Sequence, residues 1–81
     1  MAVHIIDAKG LKCPWPALLA GRMARGIKGG GLIILETDDA AAGIDIRHLC
    51  HERGLILQEE TADGRVRTFS LEVPPQQSGK P

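Results

Sequence analysis

The chain is poor in aromatic rings: its 81 residues include no tyrosine, one tryptophan (Trp15) and one phenylalanine (Phe69). Two rings make no platform for stacked bases, and the apolar share of 43% falls to Leu, Ile, Val and Ala, which suit a tight two-layer core. Net charge is missing as well. Ten basic and ten acidic residues cancel, so no broad positive field holds nucleic acid or anionic lipid, and direct nucleic-acid binding is not expected. The longest run of large apolar residues, Leu32 to Leu35, is far shorter than a membrane span. The first residues show neither the basic segment nor the apolar run of a signal peptide, so the expected location is the cytoplasm. Cysteine is scarce too. Cys13 and Cys50 do not make a secreted disulfide framework, and reduced thiols are expected. A chain this short has room for one domain, expected over residues 1–73, with 74–81 a polar, proline-bearing tail expected to be disordered.

What is present alternates between two periods. Ala2 to Asp7 reads as a strand that stops where Gly10 can supply a positive φ. From Pro14 to Ile27 the positions Pro16, Leu19, Ala20, Met23, Ala24 and Ile27 fall at helical spacing, and Gly29-Gly30-Gly31 ends that helix. Leu32 to Thr37 reads as a central strand covered on at least one face. Thr37, Asp38 and Asp39 can cap a second helix from Ala40 to Arg53, whose core face carries Ile46, Leu49, Cys50 and Arg53 and which Gly54 ends. Leu55 to Thr61 and Arg65 to Val73 form two strands around Ala62-Asp63-Gly64, where Asp-Gly is a strong hairpin signal. Phe69, Leu71 and Val73 alternate with Thr68, Ser70 and Glu72, so one sheet face is buried and the other wet. The order βαβαββ, with a right-handed crossover and a closing hairpin, predicts an α/β fold. Its form is a two-layer sandwich with a mixed four-stranded sheet and both helices on one face.

Chemistry concentrates at Cys13-Pro14-Trp15-Pro16. Cys13 stands between a glycine-bearing loop and a helix start, where free N–H groups and the helix dipole stabilise an anion such as a thiolate. Lys12 and Lys9 would lower the thiol pKa further if their ammonium groups approached. Pro14 and Pro16 fix two φ values in the first turn, stiffening the loop and holding the sulfur outward. No histidine is placed beside Cys13, and no acid–base pair accompanies it, so a thiol protease or a self-contained enzyme is poorly supported.

The stretch Asp7-Ala8-Lys9-Gly10-Leu11-Lys12-Cys13-Pro14-Trp15-Pro16 resembles the signature of the TusA/SirA family of sulfur-carrier proteins, an Asp, a Gly and a Cys-Pro-x-Pro box after a first strand. Asp38-Asp39 after the second strand, and Asp45-Ile46 with Cys50, also resemble the family pattern. The likeness spans about His4 to Val73. It implies the fold derived above and a role in which Cys13 accepts sulfane sulfur as a persulfide and passes it on, with Gly10, Lys12, Pro14 and Pro16 supporting the box. The implied partners are a sulfur donor, a cysteine desulfurase or rhodanese, and a DsrE-like acceptor. The resemblance does not fix the pathway, since members of the family serve tRNA thiolation, sulfur oxidation and regulatory or selenium-linked roles, and no cofactor is implied. Two positions depart from the family: Ala40 stands where a proline often follows the paired aspartates, and Trp15 fills the variable box position with a large apolar side chain.

Beside the box, Trp15, Leu18 and Arg22 lie along one side of the first helix and are expected to form a docking stripe, although a tryptophan there can also fold over as local core. Cys50, sharing a face with Ile46 and Leu49, reads as a buried structural thiol more readily than as a resolving partner. His48 and His51 favour the helix C-terminus over a metal ion, since no second ligand pair appears, and no metal site is expected. Gly29-Gly30-Gly31 precedes a strand, which removes the geometry of a phosphate loop. The alternatives to a sulfur carrier are a dithiol redox protein using Cys13 and Cys50, and a noncatalytic RNA- or protein-binding regulatory module.

Overall fold

The computed structural model describes residues 2–75. The expected tail therefore falls mostly outside the described residues. Six elements follow in order: β1 (Ala2–Asp7), α1 (Trp15–Arg25), β2 (Gly31–Thr37), α2 (Ala42–Arg53), β3 (Ile56–Asp63) and β4 (Val66–Val73). The sheet order is β1-β2-β4-β3, with β1 parallel to β2 and the other pairings antiparallel. This is the expected two-layer sandwich. Because α1 and α2 each follow one of the two parallel strands, both helices start at the same end of the sheet.

The core lies between the helices and one sheet face. β2 alternates strictly, with Gly31, Ile33, Leu35 and Thr37 buried and the residues between them half-buried. Register sets the buried residues side by side: Ile33 opposite Leu71, and Leu35 opposite both Phe69 and Ile6. Ile33, Leu35, Phe69, Leu71 and Ile46 are fully enclosed, each worth about 1.5–3 kcal/mol of apolar burial. Gly21 lets the helices close, since a Cβ there would stand 3.2 Å from Leu49 Cδ1. The other sheet face is open. Val3 and Ile5 stand exposed on it beside half-buried Leu32 and Ile34, so the central strand is covered on one face only.

Three expectations shift. Arg53, placed on the core side of the second helix, is exposed, while Ile46 and Cys50 are buried; a guanidinium in the last turn stays in water and near the negative helix end. The second helix starts at Ala42 rather than Ala40 and takes no side-chain cap itself. Asp39 instead closes the turn before it, with Oδ1 accepting the Ala41 N–H at 3.1 Å and its carbonyl accepting the Ala42 N–H at 3.0 Å. The hairpin turn moves on by one residue: Asp63 pairs with Val66, leaving Gly64-Arg65 as the loop. Gly64 has φ +64° and no described non-glycine residue has positive φ, which suits a turn with glycine first rather than one needing two positive φ values.

Candidate functional site

The site forms where the parallel strands end and both helices begin. Leaving β1, the chain turns at Gly10, whose φ of +86° no branched side chain would adopt readily. The Gly10 N–H donates to Asp38 Oδ1 at 3.0 Å. Three residues on, the Cys13 N–H donates to Asp39 Oδ2. The first loop is thus fastened to the second by paired carboxylates 26 to 28 residues away in sequence. Thr37 supports that second loop, its buried Oγ1 accepting the Asp39 N–H at 3.2 Å.

Cys13 is exposed, and its peptide bond to Pro14 is cis. Its Sγ–H donates to Asp45 Oδ2 in the first turn of α2. That contact overturns the expected thiol chemistry. The hydrogen bond to Asp45 raises the Cys13 pKa above its ordinary value, and desolvation and the charges of Asp45 and Asp39 push the same way. The helix start also has fewer free backbone donors than anticipated for an anion. Pro14 and Pro16 have no N–H, and the Trp15 N–H is taken by the Lys12 carbonyl at 2.9 Å. The prolines that shape the junction thus remove two of its backbone donors.

The two lysines act elsewhere. Lys9 Nζ pairs with Glu36 at 2.9 Å and Asp7 at 3.0 Å, and these bonds raise its pKa. Lys12 exerts its charge on Asp39, whose carboxyl is held below its ordinary range first by the Ala41 and Cys13 N–H groups and then by Lys12. Carboxylates, not ammonium groups, therefore govern Cys13. Asp45 is the contact of Cys13 that spacing alone could not assign: 32 positions separate the two, and only the parallel stacking of two helix starts joins them.

Exposed apolar side chains stand on the first turns of both helices. Trp15 is 54% exposed, Leu18 52% and Ile44 74%; Trp15 is not folded into the core. Arg22 is exposed too and borders a shallow groove lined by Ile6, Leu19 and Met23. Cys50 lies in the core, where burial raises its thiol pKa. It stands five positions beyond Asp45, about 7.5 Å further along the helix and on another face. His48 pairs with Glu52 at 3.1 Å. Among the described residues no three His, Cys, Asp or Glu side chains converge as metal ligands, and no helix is long and apolar enough to cross a membrane.

The site is thus one exposed thiol, hydrogen-bonded to a carboxylate, where two helices begin beside a small mixed sheet. Residues 4–73 match the family model described as Sulfurtransferase TusA, and the chain belongs to that family of sulfur carriers and sulfurtransferases. The fold is similar to that of a SirA-like protein from Desulfitobacterium hafniense, with a TM-score of 0.77 at 22% sequence identity over 89% of this chain and 97% of that one.

Proposed function

We propose that this protein carries sulfane sulfur as a persulfide on Cys13, taking it from a donor enzyme and relaying it to an acceptor protein. The observation that carries this reading is the exposed Cys13 thiol held against Asp45 at the joint start of α1 and α2, in a chain of a sulfurtransferase family. Loading is an exchange: Cys13 Sγ bonds the terminal sulfur of a donor persulfide, the donor's S–S bond breaks, and the donor leaves as a thiol. No external oxidant is needed, because the transferred sulfur keeps its oxidation state.

Delivery repeats the step with the acceptor's thiol. A cysteine desulfurase or rhodanese is the donor and a DsrE-like protein or a tRNA-thiolation enzyme the acceptor. Trp15, Leu18 and Arg22 form the docking stripe beside the cargo, while Gly10, Lys12, Pro14 and Pro16 shape its loop. Burial of Cys50 favours this reading over dithiol exchange.

The test is mass spectrometry after incubation with cysteine desulfurase and cysteine, or with rhodanese and thiosulfate. The Cys13 peptide should gain the mass of one sulfur atom, reversibly with dithiothreitol. Cys13→Ser should abolish the gain and Cys50→Ala should keep it. An unmodified Cys13 peptide under conditions that load a known carrier would overturn the proposal, and loss of loading in Cys50→Ala would favour the dithiol alternative.

A further inference from the structure

Resting on the persulfide reading, we infer that Asp45 is the proton acceptor in loading: its carboxylate takes the Cys13 proton as Sγ bonds the incoming sulfur. The proton then passes to the donor's departing thiolate. Written out, Cys13–SH and donor–S–SH give Cys13–S–SH and donor–SH. One S–S bond forms, one breaks, and one proton crosses through Asp45.

Geometry supports the role. Asp45 Oδ2 already accepts the Sγ–H bond, which is the contact a general base requires. Its backbone is fixed because the next residue, Ile46, is fully buried. The thiol is fixed from the other side by the Cys13 N–H bond to Asp39. Among the described residues Asp45 makes no ion pair, so its lone pairs are not diverted. A proton acceptor is also needed here, since the same surroundings keep Cys13 protonated near neutrality. An electron pair on sulfur becomes available only as the proton leaves.

The charged groups facing the pair come from three elements. Asp38 and Asp39 lie in the β2–α2 loop, and Lys12, acting on Asp39, lies in the β1–α1 loop. On α2, His48 is engaged with Glu52 and Arg47 with Glu60. No other base reaches Sγ among the described hydrogen bonds.

The discriminating experiment compares wild type with Asp45→Asn and Asp45→Glu, reading two rates on Cys13. One is sulfur loading from a cysteine desulfurase; the other is alkylation by iodoacetamide, which consumes thiolate. Loss of a positioned base costs about 100-fold at the lower end, partly offset in Asp45→Asn by a larger thiolate fraction, so loading at pH 7 should fall about tenfold. Alkylation should rise, because the charge that keeps the thiol protonated is gone. The wild-type to Asp45→Asn loading ratio should shrink as pH rises, since the variant depends on thiolate while the common donor cancels. Asp45→Glu, which keeps a carboxylate, should load faster than Asp45→Asn.

Loading in Asp45→Asn as fast as wild type at pH 7 would overturn the role. So would a parallel fall of loading and alkylation, which marks mere disruption of the site. Failure of the persulfide reading looks different: wild-type Cys13 alkylates normally but takes up no sulfur from any donor, and the inference falls with it.

Discussion

The backbone N–H of Cys13 donates to Asp39 Oδ2 while Asp39 Oδ1 accepts the Ala41 N–H, so a single carboxylate joins the Cys13 loop to the entry of the second helix. It tethers the thiol-bearing backbone directly to the neighbouring αβ unit. Because this tether is a charge accepting neutral N–H donors, it depends on pH.

The Asp39 carboxyl has a folded pKa below its ordinary value, near 3.9 when unperturbed. A lowered folded pKa means a contribution fully present above about pH 4 and lost as pH falls through the folded value. Asp39→Ala should therefore lower the thermal midpoint at pH 7, and the gap to wild type should narrow below about pH 4. Thermal melts followed by circular dichroism at pH 7 and in the acid range check this, and a gap constant across both would refute it.

Gly54 and Gly26 both close helices but differ in backbone. Gly54 has φ +71°, so Gly54→Ala should cost about 1–2 kcal/mol. Gly26 has φ −83°, and a Cβ there would meet only the Met23 carbonyl oxygen at 3.6 Å. Gly26→Ala should then stabilise by about 0.4–1 kcal/mol through the unfolded chain. Urea titrations should show opposite signs for the same substitution.

Both thiols have raised pKa values for different reasons, a hydrogen-bonded carboxylate at Cys13 and burial at Cys50. A neutral alkylating reagent should label Cys13 in the native protein and leave Cys50 at least about 100-fold slower, reacting only through opening of the fold. Peptide mapping after timed alkylation decides it. Comparable labelling of the two cysteines would place Cys50 nearer solvent than its core position allows.

Trp15 and Leu18 expose about half their surface beside Cys13. If they anchor the donor, Trp15→Ala should leave stability within about 0.5 kcal/mol. Its KM for a protein sulfur donor should rise about 30-fold, a hot-spot loss of about 2 kcal/mol. Alkylation of Cys13 by a small reagent should not change. An unaltered KM would return Trp15 to the status of an incidental surface residue.

Much of the architecture was legible in the sequence because it rests on local periods. Alternation through Phe69, Leu71 and Val73 marked the buried side of the last strand, and the spacing of Pro16, Ala20 and Ala24 marked the face of the first helix. Boundaries were less legible where backbone geometry decides them. Asp63-Gly64 reads as a turn by residue type, yet strand pairing holds Asp63 in the ladder and leaves Gly64-Arg65 to turn. Arg53 shares a helical angle with Cys50 but remains in water at the helix end.

The cysteine box shows the same division more sharply. Its residues and their order, the βαβαββ pattern and the family resemblance are all properties of the sequence by itself, since each depends on neighbours along the chain. The electrostatic state of Cys13 is not. A helix start with two nearby lysines points to a lowered pKa, whereas folding stacks two parallel helix starts and brings Asp45 and Asp39 against the cysteine from 32 and 26 positions away. Charge acts through space and not along the chain, so only the tertiary structure could decide that carboxylates govern this thiol.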